Sequence, residues 1–352
     1  IHRVLLDPKN PNVAYVAALG KVWSDNPERG VYKTSDGGAT WKRILYIDEK
    51  TGCGDLEIDP SNPLRLYAAM WDFRREPWGF RSGGPGSGLY VTTDGGENWR
   101  RSSEADGLPA GDLGRIGLAV AASNPRVVYA LIEAKKPGLA RSEDGGRTWK
   151  VVNSEADVNP RPFYFADLEV DPQNANRVYR LQVSLDVSTD GGKSFDTLAS
   201  TRAVHADHHA LWIDPANPRT LVNGNDGGIY VSRDRGDNWL FSTGLPLSQF
   251  YHVRHDNDVP YNVFGGLQDN GSWRGPSAVW EGGGIRNQHW SEVNFGDGFD
   301  TAPHPRSSRR GYAMSQGGYL VRWNLDTGER KSIRPAAENK DETLRFNWNA
   351  AL

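Results

Sequence analysis

The sequence predicts an all-β protein, a β-propeller of four-stranded antiparallel blades, from three observations. The segment GVYKTSDGGATW (30–41) ends in a motif that occurs five times: TSDGGATW (34–41), TTDGGENW (92–99), SEDGGRTW (142–149), STDGGKSF (188–195) and SRDRGDNW (232–239). Its aspartates lie 58, 50, 46 and 44 residues apart, the period of a repeated supersecondary unit. Before each motif comes a strand, a turn resembling Asp-Pro-x-Asn-Pro, and a second strand. The copies read VLLDPKNPNVAYVAAL (4–19), LEIDPSNPLRLYAAM (56–70), LAVAASNPRVVYALI (118–132), LEVDPQNANRVYRLQV (168–183) and LWIDPANPRTLVNGN (211–225). Finally, 40 Gly, 21 Pro and 13 Trp in 352 residues suit a turn-rich β protein.

Each element follows from its residues. Proline ends the first strand and Asn-Pro sets the turn into the second. A third strand such as GVYK or GLYV leads into the repeated motif, which is a hairpin corner. There Asp36, Asp94, Asp144, Asp190 and Asp234 are placed to accept hydrogen bonds from loop amides, glycine permits positive φ, and the closing Trp or Phe packs over the corner. Calcium loops of the EF type need alternating acids and a closing Glu, which these segments lack. The aspartates are therefore read as structural.

Two further units lack the motif, one from residue 250 to about 281, the other beginning near 295 and including GYAMSQGGYLVRWNLDTGERKSI (311–333). The expected organisation is a propeller over 1–337, with units at about 1–47, 53–103, 113–153, 163–200, 205–243, 249–282 and 290–337. A linker and the start of a further blade are expected over 338–352. Seven units fit a closed ring or an arc of a larger one. The chain opens inside a strand, which suggests a piece of a longer protein with further domains.

Composition excludes some functions. A net charge of −3 gives no electrostatic case for nucleic acid. No apolar run approaches membrane-spanning length. Cys53 is the only cysteine, so no intrachain disulfide can form.

The repeated motif, with RGVYKTSDGGATW, RREPWGFRSGGPGSGLY, HADHHALWIDPANP and GNDGG around it, resembles the Asp-box, or bacterial neuraminidase repeat. The flanking residues are most similar to the bacterial sortilin-like repeat proteins often labelled glycosyl hydrolases, and more distantly to xyloglucanases. The resemblance implies an extracellular or periplasmic propeller that takes a glycan or a peptide at its channel mouth. The alternative is a glycoside hydrolase with paired Asp carboxylates. Xyloglucanases place their catalytic aspartates between two propellers, whereas one ring fits here. The arginine triad, Tyr and Glu of sialidases are not reproduced by Arg115, Arg254 and Tyr251.

Candidate site residues fall in two places. The insertion 71–88, read as a long irregular loop, carries Trp71, Arg74 and Trp78 as ligand contacts, because aromatic faces beside arginines suit sugar rings. A second insertion spans 18–30. The run VHADHHALWIDP (204–215) holds three of the eight histidines. Strand alternation would put His205, Asp207 and His209 on one face, a set able to hold a divalent metal, with His208 on the other. His205, His208 and His209 are also candidate ligand contacts. Glycoside hydrolysis needs two carboxyls, for which Asp207, Asp226, Asp269 and Asp300 are the candidates. The strand register predicts that His205, Asp207, His208 and Asp226 share a rim with Asp269 or Asp300. Asp55 and Asp167 are expected to tie neighbouring blades together.

Overall fold

The computed structural model describes residues 1–199, 202–245, 247–339, 341–350 and 352. It divides into two compact units, 1–242 and 243–352. Each is built from four-stranded antiparallel sheets joined in chain order, the β-propeller blade expected from the sequence.

The first unit holds five blades. Their first strands are Arg3–Asp7, Thr51–Ile58, Leu113–Val120, Asp167–Val170 and His208–Ile213. In each blade the second strand follows the Asp-Pro-type turn. Blade two shows how: Asp59 Oδ1 accepts from the Ser61 amide at 2.8 Å and the Asn62 amide at 3.1 Å, and the Arg65 amide closes on the Asn62 carbonyl at 2.8 Å.

Apolar cores form between successive blades. Tyr67, Ala69 and Leu89 of blade two meet Ile116, Leu118, Val128 and Trp149 of blade three. The motif aromatic is thus a wedge between blades rather than a cover for its own corner. Trp149 is buried, and Trp99, Phe195 and Trp239 also pack on interblade cores. Trp41 of blade one is half exposed and donates to the Gly38 carbonyl at 3.1 Å.

The first strands approach closely enough to demand a small residue. A Cβ on Gly117 of blade three would lie 1.4 Å from the Ala166 carbonyl oxygen beside blade four. Asp55 Oδ2 crosses from blade two to accept the Leu118 amide of blade three at 2.8 Å. That is the interblade tie expected of Asp55.

One of the two insertions differs from expectation. The second strand of blade two runs Leu66–Glu76, and its end pairs with the extra strand Gly79–Ser82, matching Arg74 with Arg81 and Arg75 with Phe80. Residues 73–82 therefore form a β-hairpin arm and not an irregular loop. The insertion 18–30 is gathered round buried Arg29, which donates to the carbonyls of Lys21 (2.8 Å), Ser24 (3.1 Å) and Lys50.

The second unit holds two blades, with first strands Phe250–His255 and Gly298–His304. The fourth strand of the sixth blade is Ser291–Asn294, so that blade runs past the boundary at 282. Residues 282–284 are three glycines, and the excursion they open separates the last two strands. Described residues beyond 337 form no strand. They fold back on the last blade instead: the Gly317 amide donates to the Trp348 carbonyl at 3.0 Å, and the Arg334 guanidinium lies over the Tyr319 and Phe346 rings. No helix among the described residues is long and apolar enough to cross a membrane.

Candidate functional site

The arm of blade two reaches the loop that leads into blade four. Alternation along the arm sends Phe73 and Arg75 to one face and Arg74 and Glu76 to the other. Trp71, at the root, is only 4% exposed. It stacks on Phe73 at 4.6 Å, meets the Phe163 edge at 5.2 Å and donates from Nε1 to Ser82 Oγ at 3.0 Å. Trp71 is a packing residue, not an open ligand contact. Trp78 stands at the tip, 84% exposed, beside the exposed Phe80. Phe80 rests on Phe163 at 4.4 Å. Arg75 donates to the Tyr164 hydroxyl at 2.7 Å and lies within 6 Å of the Trp23, Phe163 and Tyr164 rings. Arg74 turns away to Glu76 at 2.7 Å and Asp25 at 3.5 Å.

This face continues towards blade five. Arg161 lies over Tyr164 and Phe165, and Phe165 stacks on His209 at 5.1 Å. His209 Nε2 faces Asp226 Oδ1 at 3.3 Å. Asp207 takes φ +62°, so the extended strand starts only at His208 and the expected alternation from 205 to 209 is broken. As a result His205, Asp207 and His209 do not bring three ligand atoms within 4.8 Å of one another. His208 points inward, bonds Asn223 Oδ1 through Nδ1 at 2.8 Å, and is held neutral by burial, which lowers its pKa. His205 lies against Gly227 and its Nδ1 is 3.1 Å from the Ala206 carbonyl. The Asp226 amide donates to the Asp207 carbonyl at 3.2 Å, so His205, Asp207, His209 and Asp226 gather at one end of blade five.

In the second unit Asp300 is clamped by Arg254 at 2.8 and 2.6 Å and accepts the Thr301 amide. Although partial burial opposes it, this clamp holds the Asp300 carboxyl below its ordinary pKa. It is a fixed anion, unsuited to donate a proton. Asp269 takes φ +59° and its amide donates to Asp297 Oδ1 at 2.9 Å.

The carboxyls with raised pKa are ones the sequence reading passed over. Glu57 and Glu169 stand half-buried on the first strands of blades two and four. Dehydration pushes Glu169 up to about 7 and raises Glu57 strongly, although Arg3 opposes the shift in both. Arg3 pairs with Asp55 at 2.9 Å and with Glu57 at 3.4 Å, and Arg115 approaches Asp167 at 3.5 Å. The signal was present: DLEIDP (55–60) and DLEVDP (167–172) share Asp, Leu, Glu, Asp and Pro.

The repeated aspartates show their role directly. Asp144 accepts the Arg147 and Thr148 amides at 3.0 and 2.9 Å and the Thr148 hydroxyl at 2.6 Å. The BNR/Asp-box repeat family matches at residues 90–101, the third strand and motif of blade two. The chain is an Asp-box propeller. Among curated proteins it is similar to the xyloglucanase Xgh74A of Acetivibrio thermocellus, 25% identical over 79% of this chain and 30% of the relative. It is also similar to the photosystem II assembly lipoprotein Ycf48 of Picosynechococcus sp., 23% identical over 69% of this chain and 77% of the relative. Among solved structures, an ancestral GH74 enzyme aligns with a TM-score of 0.50 and 18% identity, covering 94% of this chain and 46% of that one. The Asp-box propeller spans less than a third of the length of the xyloglucanases it matches.

Proposed function

We propose that this Asp-box propeller binds an oligosaccharide along the aromatic and arginine face of its first unit. One observation carries the reading: the arm holds exposed Trp78 at its tip and rests exposed Phe80 on Phe163 of the loop leading into blade four, with Arg75 fixed between Phe163 and Tyr164. Flat aromatic faces match the C–H faces of pyranose rings, and guanidinium groups match their hydroxyls. Rings already packed on one another lose little entropy on binding. Asp226 and His209 at the far end supply an acceptor and a donor. Similarity to xyloglucanases, at low identity, makes β-glucan oligosaccharides the first ligands to try.

The test is calorimetric titration with xyloglucan oligosaccharides and, separately, with an extended peptide. Saturable heat with the oligosaccharide, with binding weakened about ten-fold in Trp78→Ala, is expected. Heat with the peptide alone, or with neither, overturns the reading.

A hydrolase is the second reading, favoured by Glu169, a carboxyl held partly protonated near neutral pH beside other carboxyls. Release of reducing sugar that disappears in Glu169→Gln, with oligosaccharide binding retained, would favour it. Its absence leaves the chain a binding module.

A further inference from the structure

The fifth Asp-box departs from the others at one position. After the box aspartate, four copies place glycine in the left-handed region: Gly37 (φ +71°), Gly95 (+72°), Gly145 (+75°) and Gly191 (+79°). The fifth places Arg235 there, at φ +72°. A side chain in this region is strained by roughly 1–2 kcal/mol, so its retention asks for a compensating role.

The surroundings change with it. At Gly95, Gly145 and Gly191 a basic side chain lies over the glycine, from Lys33, Arg65 and Arg141. At the fifth box the position carries its own guanidinium. Arg177, the counterpart of Arg65, turns its Nε to the Tyr179 hydroxyl at 2.8 Å. In blade two, Arg65 pairs with Asp59 of its own turn at 3.3 Å. In blade four, the matching Asp171 is approached at 3.7 Å by Arg235. Arg235 Nε is buried and has no hydrogen-bond partner among the described residues.

Arg177, Arg219 and Arg235 line a cavity of about 350 Å³ with Leu198, Asp234 and Asp237. Asp234 is committed to its own loop, accepting from the Asn238 amide and side chain at 2.9 and 2.7 Å and from Ser232 Oγ at 2.8 Å. No ion pair or hydrogen bond engages the exposed Arg219 guanidinium among the described residues. Three guanidiniums therefore line one cavity beside the Asp234 and Asp237 carboxylates, and among the described residues Arg177 and Arg219 have no ion pair of their own.

We propose that this corner between blades four and five is an oxyanion-binding site, for a sulfate, phosphate or carboxylate group carried by a ligand. Guanidinium forks match such groups with paired, charge-assisted hydrogen bonds. The corner is distinct from the aromatic face, and its test does not depend on oligosaccharide binding.

The experiment titrates sodium sulfate into the intact chain by calorimetry at constant chloride, with Arg235→Gly and Arg219→Gln alongside. Arg235→Gly restores the sequence of the other boxes, and Arg219→Gln alters an exposed side chain. Saturable sulfate binding, weakened about ten-fold or more in each folded variant, is expected. If Arg235→Gly fails to fold, Arg219→Gln decides alone. Sulfate heats that are absent in the parent chain, or unchanged in the folded variants, overturn the proposal. Glucuronate and inorganic phosphate in the same titration show which oxyanion is preferred.

Discussion

Glu57 and Glu169 occupy the same register position, two residues before the turn aspartate, in blades two and four. Arg3 pairs with Glu57 at 3.4 Å, while Glu169 feels the Arg3 charge from beyond ion-pair distance and keeps its proton to about pH 7. Its ordinary pKa is 4.5, so between these values the folded chain binds more protons than the unfolded one. Stability from this group is complete below about pH 4.5 and is lost as pH rises through 7. Thermal melts of Glu169→Gln should therefore be flatter between pH 5 and 8 than those of the parent chain. The difference should be on the order of 2 kcal/mol. Parallel pH profiles would refute this.

The box aspartates give the opposite sign. Asp144 loses some hydration, yet hydrogen bonds from Thr148 and Ser142 hold it at about 2 against an ordinary 3.8. Its contribution is present above pH 3.8 and fades as pH falls through 2. Asp144→Ala should lower stability by about 1–2 kcal/mol at pH 7 through orphaned loop amides, and leave oligosaccharide affinity unchanged. Loss of binding in a fully folded variant would show that the box is part of the site.

Trp71 and Trp78 should separate cleanly. Trp71→Ala empties a buried position and should cost about 3–5 kcal/mol. Trp78→Ala should leave the melting temperature unchanged and weaken oligosaccharide binding about ten-fold, equivalent to about 1.4 kcal/mol. Equal melting losses in both variants would mean that Trp78 is also a packing residue.

Asp300→Asn should loosen the second unit. Arg254 is half exposed, so the loss is limited to about 1–2 kcal/mol. Urea melts of the variant measure it, and an unchanged midpoint would remove Asp300 from the structural ties of that unit.

Local chemistry made much of this fold legible. An aspartate before glycine at a hairpin corner satisfies its own loop, so Asp36 or Asp144 could be assigned without tertiary knowledge. The Asp-Pro turn fixed the strand register closely enough to place Asp55 between blades. What stayed hidden depended on backbone choices that composition does not dictate. Asp207 adopts positive φ, and the shared face expected of His205 and His209 dissolved with it. The arm RREPWGFR alternates in the manner of a strand, but as an insertion that breaks the repeat spacing it reads as a loop. Glu57 and Glu169 were visible in two matching hexapeptides, yet only burial gives them altered acidity.

The arm has a mechanical meaning for unfolding. Stacked repeats that touch only their neighbours fray from the ends, one unit at a time. Here Arg75 of blade two bonds Tyr164 beside blade four, 89 positions away, and Phe80 rests on Phe163. That strap bypasses the intervening repeat, so blade three is spanned by a bond made across it and the three blades share one opening event. Amide hydrogen exchange should then report a single protection class for blades two to four, with blades one and five exchanging sooner.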